Sequence, residues 1–200
     1  PEQYQLRISQ KPINIAEAFA YRQEAVFPQN LIARQLKNIE DKKYPYEFIK
    51  LERDQTGIVA TRTKKLPISH FPVKKKMEDK TGSIVVWERP VDNPDFGTYY
   101  ASIDPVSEGK TTTSDSLCSI FVYKNPVEIT RDTPDGQETF IEKDKIVASW
   151  CGRFDDINKT HERLEMIIEW YKAWIIVENN ISLFIQHMIA KRKQKYLVPK

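Results

Sequence analysis

The pattern of apolar and polar positions predicts strands alternating with amphipathic helices in the second half of the chain. Strand-like apolar runs occupy residues 99–104, 117–123, 146–152 and 174–178, and a further strand begins at 196–198. Apolar positions at helical spacing predict helices over 158–173 and 181–189. Short connections make the first three strands an antiparallel meander. The helical crossover makes the fourth strand parallel to a strand of that sheet.

The first half of the chain has a weaker pattern. Helices are predicted over 14–21 and 29–40, and strand-like runs occur at 57–61 and 82–88. Five prolines interrupt residues 41–98, so residues 1–95 are interpreted as a linker region and 96–200 as the main domain. A polar insertion over 124–145 holds an Asp135-Gly136 turn between strand-like flanks.

Composition adds bounds to this picture. The 200 residues are 40% hydrophobic and 30% charged, which suits one or two small domains. The net charge of +3 is too small for a strong global field, so a nucleic-acid partner must meet local basic patches. Two cysteines favour a reducing compartment, and no membrane span or signal peptide is expected. Both ends are expected to be cuts in a longer protein.

The segment Gly109-Lys110-Thr111 looks like the end of a phosphate-binding P-loop. That motif requires a glycine five residues earlier, where this chain has Asp104, and Pro105 then removes a backbone amide. A strand rather than a helix follows Thr111. A flexible polar loop between two strands is therefore the better interpretation.

Acidic residues close two of the predicted strands. Asp104 ends the first strand and Glu178 ends the fourth, so parallel neighbours would bring both to one sheet edge. Such a pair suits divalent cations that activate water and stabilise a leaving oxygen. Asp104 could instead begin a turn, and Asp115 could support the site or cap a turn. Asp155 and Asp156 are predicted to cap the following helix.

An ordered set of segments carries a family resemblance. The segments are SIDPVSEG, SDSLCSIFVY, KIVASWCGRF, ERLEMIIEWYKAWIIVENN and YLV. Together they resemble the nuclease domain of the large terminase subunits of tailed bacteriophages. NIAEAFAYRQEAVFP resembles the end of that family's ATPase domain, and GSIVVWERP resembles the strand leading into the nuclease. The resemblance implies an RNase H-like α/β fold with a mixed sheet flanked by helices.

The resemblance also implies site residues. Asp104 and Glu178 match the family's catalytic acids, which bind two Mg²⁺ or Mn²⁺ ions, and Asp115 matches a supporting acid in a Ser-Asp-Tyr-like element. Ser182 stands near a usual glycine, which puts the packing of the second helix in question. The third catalytic acid would follow the fifth strand, beyond Lys200, so the fragment is expected to be weakly active or inactive.

The implied function is that of a metal-dependent endonuclease that hydrolyses concatemeric double-stranded DNA during viral genome packaging in the host-cell cytoplasm. The implied partners are an ATPase domain, the small terminase subunit and the capsid portal, and no membrane. The ATPase motor motifs are absent from this chain. Two alternatives stay open: another RNase H-like nuclease of the resolvase or transposase type, and a non-catalytic fragment that binds DNA or the portal.

Basic clusters supply candidate DNA contacts, because nonspecific binding needs only phosphate contacts. The candidates are Lys74, Lys75, Lys76, Lys110, Lys191, Arg192, Lys193 and Lys195. A solvated helix end is the alternative for the last group. The three histidines show no metal-ligand spacing, and Cys118 has no evident base beside it.

Overall fold

The computed structural model describes residues 28–41, 44–69, 79–107, 116–134, 136–178 and 183–198. The chain divides into two compact units, Pro1–Pro45 and Tyr46–Lys200. In the first unit, helix α1 spans Gln29–Glu40 and confirms the predicted helix there. Its apolar residues Leu31, Ile32, Leu36 and Ile39 are exposed. The helix predicted at 14–21 lies outside the described residues.

The described part of the second unit contains nine strands and two α-helices. The strands are β1 (Glu47–Arg53), β2 (Ile58–Arg62), β3 (Ile84–Val86), β4 (Tyr99–Asp104), β5 (Cys118–Lys124), β6 (Val127–Thr133), β7 (Gly136–Glu142), β8 (Lys145–Gly152) and β9 (Trp174–Val177). The helices are α2 (Ile157–Tyr171) and α3 (Leu183–Ala190), and a 3₁₀ turn follows at Gln194–Tyr196.

Seven of these strands form one mixed sheet in the order β2-β1-β3-β8-β5-β4-β9. Neighbours pair antiparallel except β4 and β9, which are parallel. The antiparallel meander of β4, β5 and β8 and the parallel strand after the α2 crossover confirm the predicted strand directions. The protein is an α/β protein with a mostly antiparallel mixed sheet.

The division of the chain differs from the expected boundary near residue 95. The structure places it between Pro45 and Tyr46, and β1, β2 and β3 belong to the same sheet as β4. Ile49 and Leu51 of β1 and Ile84 of β3 are fully or almost fully buried. Prolines of this region, such as Pro67 and Pro90, lie between the strands and leave the backbone ladders intact.

The core lies between the sheet and the two helices. Leu164, Ile167, Ile168 and Tyr171 of α2 are buried, which confirms the predicted apolar face of that helix. The helix begins where the Asp156 carboxylate accepts a 2.9 Å hydrogen bond from the Asn158 backbone N–H, so Asp156 is its N-cap.

Two predicted elements have different details in the structure. The polar insertion forms a separate hairpin of β6 and β7, in which Gly136, at φ 127, begins β7. Both strands are longer than the predicted flanks. The fifth strand was expected to begin at Tyr196, but Tyr196 ends the 3₁₀ turn. Leu197 then forms a parallel bridge to Ile175, because the tight turn must end before the chain can extend along β9.

Candidate metal centre

Two acidic residues occupy neighbouring backbone positions at one end of the sheet. In the parallel ladder of β4 and β9, Ile103 pairs with Val177. The backbone N–H of Glu178 donates a 3.1 Å hydrogen bond to the carbonyl oxygen of Ile103. Continuing this register by one residue sets Glu178 beside Asp104, on strands about 4.8 Å apart.

Side-chain alternation places both acids on the same face of the sheet. Ile103 is buried, whereas Asp104 and Glu178 are exposed. Ser102 pairs with Ile176, and both of these residues are also exposed, so the face that carries the acids is the one turned away from α2. Parallel pairing thus brings the two positions to one edge of the sheet, and alternation puts them on one face.

The thiols near this edge are held in their neutral form. Asp104 pairs with Ser119, and Ser119 pairs with Cys151, so all three share one face. Burial, with smaller contributions from Cys151 and Asp104, raises the pKa of the Cys118 thiol to about 12. Burial and then the charge of Asp104 raise the pKa of Cys151 above its usual value. Neither thiol has the lowered pKa of a reactive cysteine.

The oxygen ligands of Asp104 and Glu178 suit a hard cation such as Mg²⁺ or Mn²⁺. They form a pair: in the described part of the chain, no group of three or more His, Cys, Asp or Glu side chains is arranged to hold a metal ion. Asp115 and Lys110 fall in 108–115, outside the described residues, so their expected roles stay predictions. A cation here would be held by two protein carboxylates, with water filling other positions.

The other predicted DNA contacts are not brought to this edge by the described structure. Lys74, Lys75 and Lys76 lie outside the described residues. Lys193 is largely buried in ion pairs with Glu165, at 2.5 Å, and with Glu169. Lys191, Arg192 and Lys195 are exposed and follow α3. Because the chain next rejoins the sheet beside Ile175, these cations lie toward the start of β9, away from Asp104.

Sequence reasoning missed a charge cluster centred on Glu165, whose side chain is only 7% exposed. It accepts a 3.0 Å hydrogen bond from Arg53 and a 2.5 Å one from Lys193, and His187 Nε2 lies 2.7 Å from its other oxygen. Hydrogen bonds from Lys193 and His187 outweigh burial and lower its pKa. The signal was His161, Glu165 and Glu169, spaced four residues apart on the inner side of α2.

No protein-family model, curated protein or solved structure matches the chain. Fold and site therefore define the molecule at the level of its class: an α/β protein with a mixed sheet and a pair of carboxylates at one sheet end. Among the described residues, no helix has both the length and the apolar character needed to cross a membrane.

Proposed function

We propose that this chain is a metal-dependent nuclease with an RNase H-like fold, related to the nuclease domain of phage large terminase subunits. One observation carries the proposal: the parallel pairing of β4 with β9 sets Asp104 beside Glu178. The strand order β8-β5-β4-β9, with one parallel pair, is the order expected for an RNase H-like sheet. The segments that resemble the terminase nuclease fall on these same elements.

The substrate is a phosphodiester of double-stranded DNA. Asp104 and Glu178 would hold Mg²⁺ or Mn²⁺, which supplies Lewis acidity and lowers the pKa of bound water. Asp104, which pairs with Ser119 in the ladder of β4 and β5, would be the more rigidly placed ligand. Glu178 directly follows β9, has the longer side chain and would help to place the attacking water. In the terminase reading, an ATPase domain, a small subunit and a portal deliver the DNA.

A plasmid-nicking assay in Mn²⁺ tests the proposal. Asp104→Asn and Glu178→Gln keep the side-chain size but remove the charge that a cation needs, so each is expected to lower the nicking rate by at least about 100-fold. Asp132→Asn, an exposed acid on β6, is the matched control and is expected to nick at the unaltered rate.

Two outcomes contradict the proposal. If the unaltered chain and Asp104→Asn nick plasmid equally, the activity is a contaminant and the pair is not catalytic. If a version of the chain extended past Lys200 leaves plasmid intact in Mn²⁺ and Mg²⁺, the non-catalytic DNA- or portal-binding alternative replaces the proposal. Activity confined to branched DNA or RNA–DNA hybrid would instead assign the chain to another RNase H-like class.

A further inference from the structure

The hairpin of β6 and β7 is a strongly acidic element in a basic chain. Its residues 127–142 include five acidic side chains and one basic one, a net charge of −4, whereas the whole chain carries +3. We name this hairpin the acidic arm. Its last residue is held to the main sheet, because the Lys124 ammonium donates a 2.9 Å hydrogen bond to Glu142. A two-stranded hairpin is at best marginally stable alone, so the arm gains stability from a partner.

One face of the acidic arm is exposed from end to end. Glu128 of β6 lies opposite Ile141 of β7, and Thr130 lies on the same face by alternation. All three are exposed, and Ile141 is 68% exposed. Asp132, also on this side, already accepts a 3.0 Å hydrogen bond from Gln137. Among the described residues Glu128 has no ion-pair partner, so the face presents an acid beside an exposed apolar side chain.

The complementary charge lies in the segment after α3. Residues 183–198 contain four basic side chains and no acidic one, a net charge of +4. Lys193 is paired with Glu165. The other three are exposed, and we name them the basic turn: Lys191, Arg192 and Lys195. Ile189 beside them is 49% exposed. In the part of the chain that the structure describes, no carboxylate pairs with the basic turn.

The acidic arm and the basic turn lie at the same end of the main sheet. The arm follows Lys124, which pairs with Tyr99, the first residue of β4, and β9 begins beside that same strand end. The basic turn comes just before Leu197, which bridges to Ile175 of β9. Strands β4 and β9 separate the two features within one chain. A twofold axis beyond this end of the sheet would set the arm of each copy against the basic turn of the other.

We propose that the acidic arm docks on the basic turn of a second copy of this chain, in a reciprocal twofold contact. Complementary charges orient such a contact, and burial of Ile141 and Ile189 adds an apolar contribution. A second copy is favoured over another basic partner because the chain itself supplies a positive surface of matching charge. Nucleic acid would suit the basic turn but not the arm, whose carboxylates repel phosphates. The contact goes beyond the proposed nuclease function and does not require it.

Sedimentation velocity of the whole chain in EDTA tests the proposal. Salt screens surface charges, so the unaltered chain is expected to form dimers at about 50 mM salt and to dissociate at about 500 mM. Glu128→Lys with Thr130→Lys gives an arm-reversed chain, and Lys191→Glu with Lys195→Glu gives a turn-reversed chain. Each is expected to raise the Kd of the dimer at least about tenfold, because like charges then face each other.

An equimolar mixture of the two reversed chains separates contact from folding. In the mixture a positive arm meets an acidic turn, and a negative arm meets a basic turn. Mixed dimers are therefore expected to form with a Kd within about threefold of that of the unaltered chain. A variant that had failed to fold would not regain association on mixing, so recovery shows that both chains are folded and that the two surfaces meet.

Glu128→Gln and Glu138→Gln are a matched pair that tests which face of the arm docks. Both remove one negative charge, but Glu138 pairs with Arg131 on the opposite face. Glu128→Gln is expected to raise the Kd of the dimer about threefold, and Glu138→Gln is expected to leave it unchanged.

Three results overturn the proposal. The first is a monomeric mass for the unaltered chain at low salt, even at the highest concentration. The second is a dimer whose Kd is the same in either reversed chain. The third is a pair of reversed chains that stay monomeric when they are mixed.

Discussion

The ammonium of Lys124 lies 2.7 Å from Glu88 and 2.9 Å from Glu142, although its side chain is only 9% exposed. Lys145 contacts the same two carboxylates, at 2.5 Å from Glu142. The four side chains alternate in charge. They connect the segment after β3 with the last residues of β5 and β7 and the first residue of β8. Hydrogen bonds from Lys145 and then Lys124 lower the pKa of Glu142 to about 2.

We expect Lys124→Met to lower the free energy of unfolding by about 2 kcal/mol, because two partly buried carboxylates would share a single remaining lysine. Urea unfolding followed by tryptophan fluorescence measures this. Lys50→Met is the control: its pair with Glu52 is exposed on both sides, so a change below about 1 kcal/mol is expected. Equal losses in the two variants would show that the charge network contributes nothing beyond a surface pair.

The N-cap of α2 gives a second prediction, which compares Asp156 with the neighbouring Asp155. The Asp156 carboxylate accepts from the Asn158 N–H, and Asp155 is exposed just before it. Asp156→Ala is expected to cost about 1 kcal/mol in urea unfolding, and Asp156→Asn much less, because asparagine caps helices as well as aspartate does. Asp155→Ala is expected to be close to neutral. If Asp155→Ala lowers the free energy of unfolding more than Asp156→Ala does, Asp156 is not the residue that caps the helix.

Sequence predicted the elements with strong periodicity and missed one whose pattern is diluted by charge. Strand β4 was predicted at its observed residues because Tyr99, Ala101 and Ile103 alternate with less buried positions. Strand β1 was missed, although Ile49 and Leu51 carry the same period of two, because four of its seven residues are charged. Two apolar residues that alternate within a polar segment are a weak signal for a strand. Strand β1 is stabilised by its pairing with β3, which the local sequence does not show.

One part of the candidate site could be predicted from the sequence, and another part could not. The closeness of Asp104 and Glu178 followed from strand direction alone. The spacing of His161, Glu165 and Glu169 marks one side of α2 in the sequence. The partners of Glu165 could not be predicted, because they come from β1, α3 and the turn after α3, which are distant in sequence.

Acid should destabilise the packing of α3 on α2 through His161. This ring is 5% exposed, its Nε2 has no hydrogen-bond partner among the described residues, and it lies 5.2 Å from His187 and 5.5 Å from Phe184. Burial, and then the charge of His187, lower its pKa to about 4. The groups around it are His187 on α3 and, through His187, Glu165 with Arg53 and Lys193.

The unfolded chain therefore holds a proton on His161 between about pH 6.5 and pH 4 that the folded chain lacks. The buried neutral ring of His161 contributes its full share to the free energy of unfolding above pH 6.5. That contribution falls as the pH drops from 6.5 to about 4, and it is lost below about pH 4. The full loss is about 3 kcal/mol. His161→Phe keeps an aromatic ring without a titrating group, so urea unfolding at pH 7, 5.5 and 4.5 should show a shallower decline. Parallel declines in both chains would contradict the assignment.

Cation binding at the carboxylate pair gives a prediction that needs no catalysis. A free cation concentration about 100-fold above its Kd stabilises a folded chain by about 3 kcal/mol, so Mn²⁺ or Mg²⁺ should raise the melting temperature of the unaltered chain. Asp104→Asn and Glu178→Gln each remove one ligand and should abolish most of that rise.

In EDTA no cation is bound, and Asp104 is exposed. The melting temperature of Asp104→Asn is therefore expected to stay close to that of the unaltered chain. Asp132→Asn on β6, far from the pair, should keep the full response to Mn²⁺. Scanning calorimetry in EDTA, and then at cation concentrations raised in 10-fold steps, measures both melting temperatures. A rise of equal size in Asp104→Asn and in the unaltered chain would place the cation elsewhere and remove the basis for metal-dependent chemistry at this edge of the sheet.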